Sequence, residues 1–245
     1  RFPYLAAQYG GGIFILVYLV LVVTFGFSLL MLEIGVGRKT KLSAIKAYKK
    51  LDKRFGFLGY LAAIVPIIIL PYYCVIGGWV IRYTLTFISG SATKAASDTY
   101  FNNFISGTKA PLVMFAIFLI ATALVVAFGV QKGVERVSKF LMPILLVITV
   151  GISVFIFTLP NSGEGIKYYL LPDFTKFSLK TICAAMGQLF YSMSIAMGIM
   201  ISYGSYVKDD INLNKSVNQI EIFDTLIAIL AGFMIVPAVY IFSGE

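Results

Sequence analysis

The chain has 245 residues, 59% hydrophobic and 13% charged, with a net charge of +9 and a mean hydropathy of +0.91. Soluble domains average about 25% charged residues, and one water-surrounded core could not hide this much apolar surface, so the natural solvent is lipid. The charge excess then belongs to basic loops on one side of a bilayer, not to a nucleic-acid footprint.

Residues 1–11 read as an incomplete first segment that closes on Gly10-Gly11-Gly12. A membrane span needs about 20 apolar residues. Six runs meet that length: 13–36, 58–88, 111–128, 138–158, 180–206 and 218–242. They are too long and unbroken for barrel strands. Helices satisfy their own backbone in lipid, so all six are predicted as helices of one transmembrane domain over 1–245.

Between the first two runs, residues 37–57 hold Arg38, Lys39, Lys41, Lys46, Lys49, Lys50, Lys53 and Arg54 against one acid, Asp52. This density predicts a cytoplasmic loop. Alternation then puts 129–137 and 207–217 on the same side, and 89–110 and 159–179 outside. Within the basic loop, Leu42, Ile45, Tyr48, Leu51 and Phe55 recur every three or four residues. That spacing predicts a short amphipathic helix lying in the membrane interface; a basic patch for a partner is the alternative.

The two cysteines, Cys74 and Cys183, sit inside apolar runs, and there is no histidine. Neither a disulfide framework nor a Cys/His metal site fits. No nucleophile–base pair is apparent, which argues against an enzyme.

Polar groups inside spans are costly, and each is a functional candidate. The run at 180–206 carries Gly187, Gln188, Ser192, Ser194 and Gly198 at mid-depth. Gln188 and Ser192 are four apart and share a helical face. Small and hydroxylated residues here fit an opened helix whose ends and carbonyls hold ions, or close helix packing. Asp224 lies inside the last run, where a lone carboxylate needs a salt bridge, a proton or a hard cation such as sodium. Tyr72 and Tyr73 follow Pro71 in mid-span, as packing residues or as substrate contacts. Glu33, near a span end, fits a helix tie, and Arg82 a snorkelling side chain.

Five segments, in order, carry a family likeness. Arg1-Phe2-Pro3-Tyr4 with Gly10-Gly11-Gly12, Leu32-Glu33-Ile34-Gly35-Val36-Gly37-Arg38, Tyr72-Tyr73, Lys132-Gly133-Val134-Glu135-Arg136, and Gly187-Gln188 through Tyr203-Gly204-Ser205-Tyr206 resemble the motifs of neurotransmitter:sodium symporters. The outer loop 89–110 is short and lacks cysteines, as in prokaryotic, leucine-transporter-like members. The resemblance implies an all-α fold of two inverted repeats with broken first and sixth helices around a midplane site. It implies sodium-coupled symport of a hydrophobic amino acid or related amine across the plasma membrane by alternating access, and it admits a homodimer. By position, Tyr73 would bind the substrate carboxylate and Tyr191 would lie over it as an aromatic lid. Ile69, Ser194, Ala196 and Met197 would line the pocket. Ser192 would ligand the sodium ion that touches the substrate carboxylate, and Asp224 would stand at the seventh-span position of the sodium site. Gln188, Ser192 and Asp224 would stand where other members hold chloride. Arg1 would belong to the outer gate, Ser205 and Tyr206 to the inner one.

Two departures matter. Lys39 follows Arg38 where the family has a tyrosine that helps hold chloride, and Asp224 replaces an asparagine. A fixed carboxylate would do electrostatically what chloride does, so chloride independence is expected. Arg1 in place of Met and the abrupt finish at Gly244-Glu245 read as cut ends. A chain beginning in the outer half of helix one and stopping after helix seven would hold only part of its site and would not transport alone. Proton coupling on the same fold, or a non-transporting truncated homologue, are the other readings.

Overall fold

The computed structural model describes residues 1–243; the Gly244-Glu245 terminus lies outside them. The described residues form thirteen α-helices: α1 Phe2–Gln8, α2 Gly12–Leu21, α3 Phe27–Thr40, α4 Ala44–Leu51, α5 Gly56–Ile88, α6 Ala92–Ala95, α7 Asp98–Ser106, α8 Lys109–Ala127, α9 Arg136–Phe157, α10 Ser162–Leu170, α11 Leu179–Ser192, α12 Ile199–Gly204 and α13 Leu213–Ser243. A π-helical turn, Val22–Gly26, joins α2 to α3, and a second, Val130–Glu135, precedes α9. Five helical stretches are long and apolar enough to cross a membrane: Gly12–Thr40, Lys53–Ile88, Lys109–Ala127, Lys132–Phe157 and Leu213–Phe242. This is a membrane protein. The predicted span at 180–206 is instead delivered in two pieces, α11 and α12.

The helices outrun the apolar runs that predict them. α13 starts at Leu213, five residues before its run, because Asn212 caps the Lys215 amide from its side chain at 3.2 Å. The segments 89–110 and 159–179, read as loops, contain α6, α7 and α10.

The chain resolves into two compact units, 1–64 with 144–245, and 65–143. In the first, Phe2 meets Phe14 and Tyr18 edge-on, at 5.5 and 5.0 Å between ring centres. These rings join Leu189, Met193 and Tyr169 in one buried core. Tyr169 donates its hydroxyl to the Ile229 carbonyl at 3.0 Å and packs edge-to-face on Phe233, so α10 is fastened to α13. α3 and α12 cross with their backbones in contact. A Cβ at Gly37 would strike the Ile201 carbonyl, and one at Gly204 the Ile34 carbonyl. Only glycines let these backbones touch. α4 is amphipathic, as its spacing predicts, but its apolar side is shared. Ala44 and Ala47 are buried against Ile201 with Leu42 and Tyr48 beside them, whereas Ile45, Leu51 and Phe55 stay exposed.

In the second unit, Gly77 and Gly78 admit Phe118 and the Met114–Phe115 backbone against α5. Thr86 Oγ1 and the Tyr100 hydroxyl share a hydrogen bond of 2.6 Å. Arg82, read from sequence as snorkelling, lies over Tyr100 and Phe104 at 6.0 and 5.8 Å. The rings hold the guanidinium by cation–π attraction.

Candidate functional site

The site is built where the sixth span breaks. α11 ends at Ser192, α12 begins at Ile199, and Ser194, Ala196 and Gly198 take positive φ of 54°, 62° and 68°. A right-handed helix cannot continue through such residues. Among the described residues, the carbonyls of 193–197 accept no backbone hydrogen bond. Five oxygens are thus freed at mid-span. Glu33 of α3 enters the break: its Oε1 accepts the Ala196 amide at 2.6 Å. The side chain that sequence suggested as a helix tie therefore secures the unwound segment itself.

One face of α11 carries Gln188 and Ser192. Ser192 donates its hydroxyl to Asp224 Oδ2 of α13 at 2.7 Å. Gln188 is 4% exposed, and its Oε1 has no hydrogen-bond partner among the described residues. Both residues face the core that Tyr18 of α2 completes. Tyr18 is fully buried, with its hydroxyl turned toward Ser192 and Asp224 but without the alignment of a formed hydrogen bond. Sequence reasoning looked for a tyrosine at position 39 and missed this one. Tyr18 sits in the run Phe14–Val23, where a lone phenol among aliphatic residues gives no signal. A lysine at 39 therefore does not leave Asp224 without a facing phenol.

The structure brings Ser192, Asp224 and Tyr18 together, with Gln188 one turn before Ser192 on α11. Ser194, Ala196 and Met197 occupy the break itself, Ala196 exposed and the other two half-buried. Arg1 places its guanidinium 4.5 Å above the Tyr191 ring. Ser205 and Tyr206 follow α12; Ser205 donates to the Ser202 carbonyl at 2.6 Å, and Tyr206 is exposed. Beside them, Lys41 bonds the Val207 carbonyl at 2.6 Å and pairs with Asp209 at 3.1 Å, while Arg38 donates to the Ile211 carbonyl at 2.7 Å. Ile69 and Tyr73 lie in the second unit, one turn apart on α5. The break supplies freed carbonyls, and the Ser192–Asp224 pair at its edge a hydroxyl and a carboxylate; these are the oxygen donors hard cations prefer. No thiolate or imidazole competes among them.

The sequence profile of the Sodium:neurotransmitter symporter family matches residues 1–103 and 104–243. A sodium-dependent transporter of Bacillus subtilis is 35% identical over 250 residues, covering 100% of this chain and 55% of its own length. One of Haemophilus influenzae is 33% identical over 260 residues, covering 100% of this chain and 57% of its own. The chain thus spans about half the length of the curated relatives it matches. The crystal structure of MhsT in complex with L-phenylalanine superposes with a TM-score of 0.90 at 35% identity, over 98% of this chain and 56% of that one.

Proposed function

Because this chain belongs to the sodium:neurotransmitter symporter family, a family of transporters and not of enzymes, we propose that the protein drives uptake of a hydrophobic amino acid with sodium by alternating access. The observation that carries this reading is the break at 193–198: freed carbonyls on one side and the Ser192–Asp224 pair on the other. Sodium would be held by Ser192 with carbonyls of the break, and Asp224 would supply the negative charge of the cluster. Asp224, with Gln188 and Ser192, would stand in for bound chloride. Tyr73 and Tyr191 would contact the substrate, Ile69, Ser194, Ala196 and Met197 would line its pocket, and Arg1 would close over it. Ser205 and Tyr206 would belong to the inner gate. The apolar character of Ile69 and Met197, and the phenylalanine bound by MhsT, favour an apolar substrate. The protein would lie in the plasma membrane, loop 37–57 facing the cytoplasm, as a monomer or homodimer.

The decisive experiment is scintillation-proximity binding of radiolabelled amino acids to the full-length protein, with and without sodium, followed by uptake in proteoliposomes. Sodium-dependent binding of leucine, phenylalanine or a similar amino acid is expected. Uptake driven by a proton gradient without sodium would refute the reading.

A further inference from the structure

The densest charge on the chain lies on and beside α4, away from the ion cluster. Residues 37–57 hold eight Lys or Arg against Asp52. Three of the eight are tied to the protein: Lys41 and Arg38 bond the 207–211 segment, and Lys50 donates to the Thr40 carbonyl at 3.2 Å. The side chains of Lys46, Lys49, Lys53 and Arg54 are exposed, and no acidic side chain pairs with them among the described residues.

The rotation of α4 is fixed. Ala44 and Ala47 are buried against Ile201, and at about 100° per residue Lys46 and Lys49 turn to the opposite side. Directly beside them runs an apolar fringe at the foot of α5. Leu51, Phe55, Phe57 and Tyr60 are between 48% and 59% exposed. A rule that keeps basic residues on one side of the membrane accounts for the sign of the charge. It does not account for lysines banded against exposed aromatic rings. Anionic headgroups above hydrocarbon offer both halves of that pattern in the same order. An acidic soluble protein matches the charge and leaves the rings uncovered.

We propose that residues 44–60 are a docking surface for anionic phospholipid. Lys46, Lys49, Lys53 and Arg54 meet headgroup phosphates, and Leu51, Phe55 and Phe57 enter the acyl boundary. The surface also bears on the broken span. Ala44 is seated so close to Gly198 that a Cβ there would lie 2.7 Å from its own. A leaflet that holds α4 therefore holds the start of α12. The proposal rests on insertion of the chain in a membrane and is independent of what the protein carries.

The test is hydrogen exchange of the full-length protein in nanodiscs of phosphatidylcholine alone, or of phosphatidylcholine and phosphatidylglycerol in equal parts. At about 1 kcal/mol per basic residue near an anionic surface, one residue alone is worth about fivefold, so amides of 44–51 exchange at least about fivefold more slowly in the charged discs. The difference shrinks as salt is raised. K46R/K49R/K53R retains it, and K46Q/K49Q/K53Q/R54Q loses it. Where the glutamine variant does not insert, the salt series on the natural sequence decides alone. Equal exchange in both lipids, or slowing that survives the glutamine variant, overturns the proposal. So does slowing by an added polyglutamate peptide with no effect of phosphatidylglycerol, which points to an acidic protein partner. Failure of sodium-coupled uptake with the lipid effect intact refutes only the transport reading.

Discussion

Ser192 donates its hydroxyl to Asp224 Oδ2 across 2.7 Å, tying the last turn of α11 to α13. The bond fixes where the negative charge of Asp224 points. Uptake by the full-length protein is expected to proceed without chloride. D224N then abolishes uptake or makes it chloride-dependent; unchanged chloride-free uptake would refute the role given to the carboxylate. Hydrogen bonds to charged groups contribute about 1.5–3 kcal/mol, so S192A should weaken apparent sodium affinity about tenfold or more. Sodium titration of uptake reads this directly.

Arg1 sits over the face of Tyr191 at 4.5 Å. The attraction needs the ring and not its hydroxyl. At about 1 kcal/mol, Y191L should bind substrate roughly fivefold less tightly than Y191F, measured side by side in equilibrium binding. Equal affinities would remove the cation–π contact from the account.

Glu33 is the acceptor for the Ala196 amide at 2.6 Å. E33Q retains an acceptor, whereas E33A strands a donor inside the membrane at about 1–3 kcal/mol. In detergent, E33A should melt several degrees below E33Q. The order reversed would show that charge, not acceptance, holds the break.

Gly37 and Gly204 form one backbone contact between α3 and α12. G37A and G204A should each lower thermal stability, by about 1–3 kcal/mol for an overpacked crossing. The double variant should lose less than the sum, because prying the crossing apart once relieves both collisions. Additive losses would mean two separate contacts.

Asp173 accepts the Thr175 hydroxyl at 2.6 Å and its amide at 3.0 Å, and these bonds hold its carboxyl below the usual carboxylate range. The folded pKa is depressed, so the cap contributes above the unfolded pKa and is lost as pH falls through the folded one. Protection of the Thr175 amide from exchange should persist into acid and then vanish. T175V should move that loss to higher pH. A midpoint unmoved by T175V would assign the depression elsewhere.

Much of this was legible in the sequence. Apolar runs set the centres of the spans, while Gly and Ser at 187–198 fitted an opened helix and close packing equally, and only the family resemblance pointed to the break. The ends of helices were not legible, since α13 begins on a cap at Asn212 that hydropathy does not see. Tyr18 was invisible because its burial arises from packing α2 on α11, the helix that carries Ser192, and nothing local distinguishes it from a packing residue. The π turn at Val22–Gly26 also has no signature in composition. For α4 the period was right and the partner incomplete, because two alanines took protein contacts that the larger apolar residues were expected to leave to lipid.

The break at 193–198 has a mechanical consequence. Six residues of continuous helix would advance about 9 Å along one axis, and α11 would drag α12 with it. Interrupted by left-handed Ser194 and Ala196, the two halves become separate levers. α11 is clamped to α2 and, through Ser192, to α13; α12 is bolted to α3 and α4. The two halves are thus anchored on different helices, and Glu33 ties the break between them to α3.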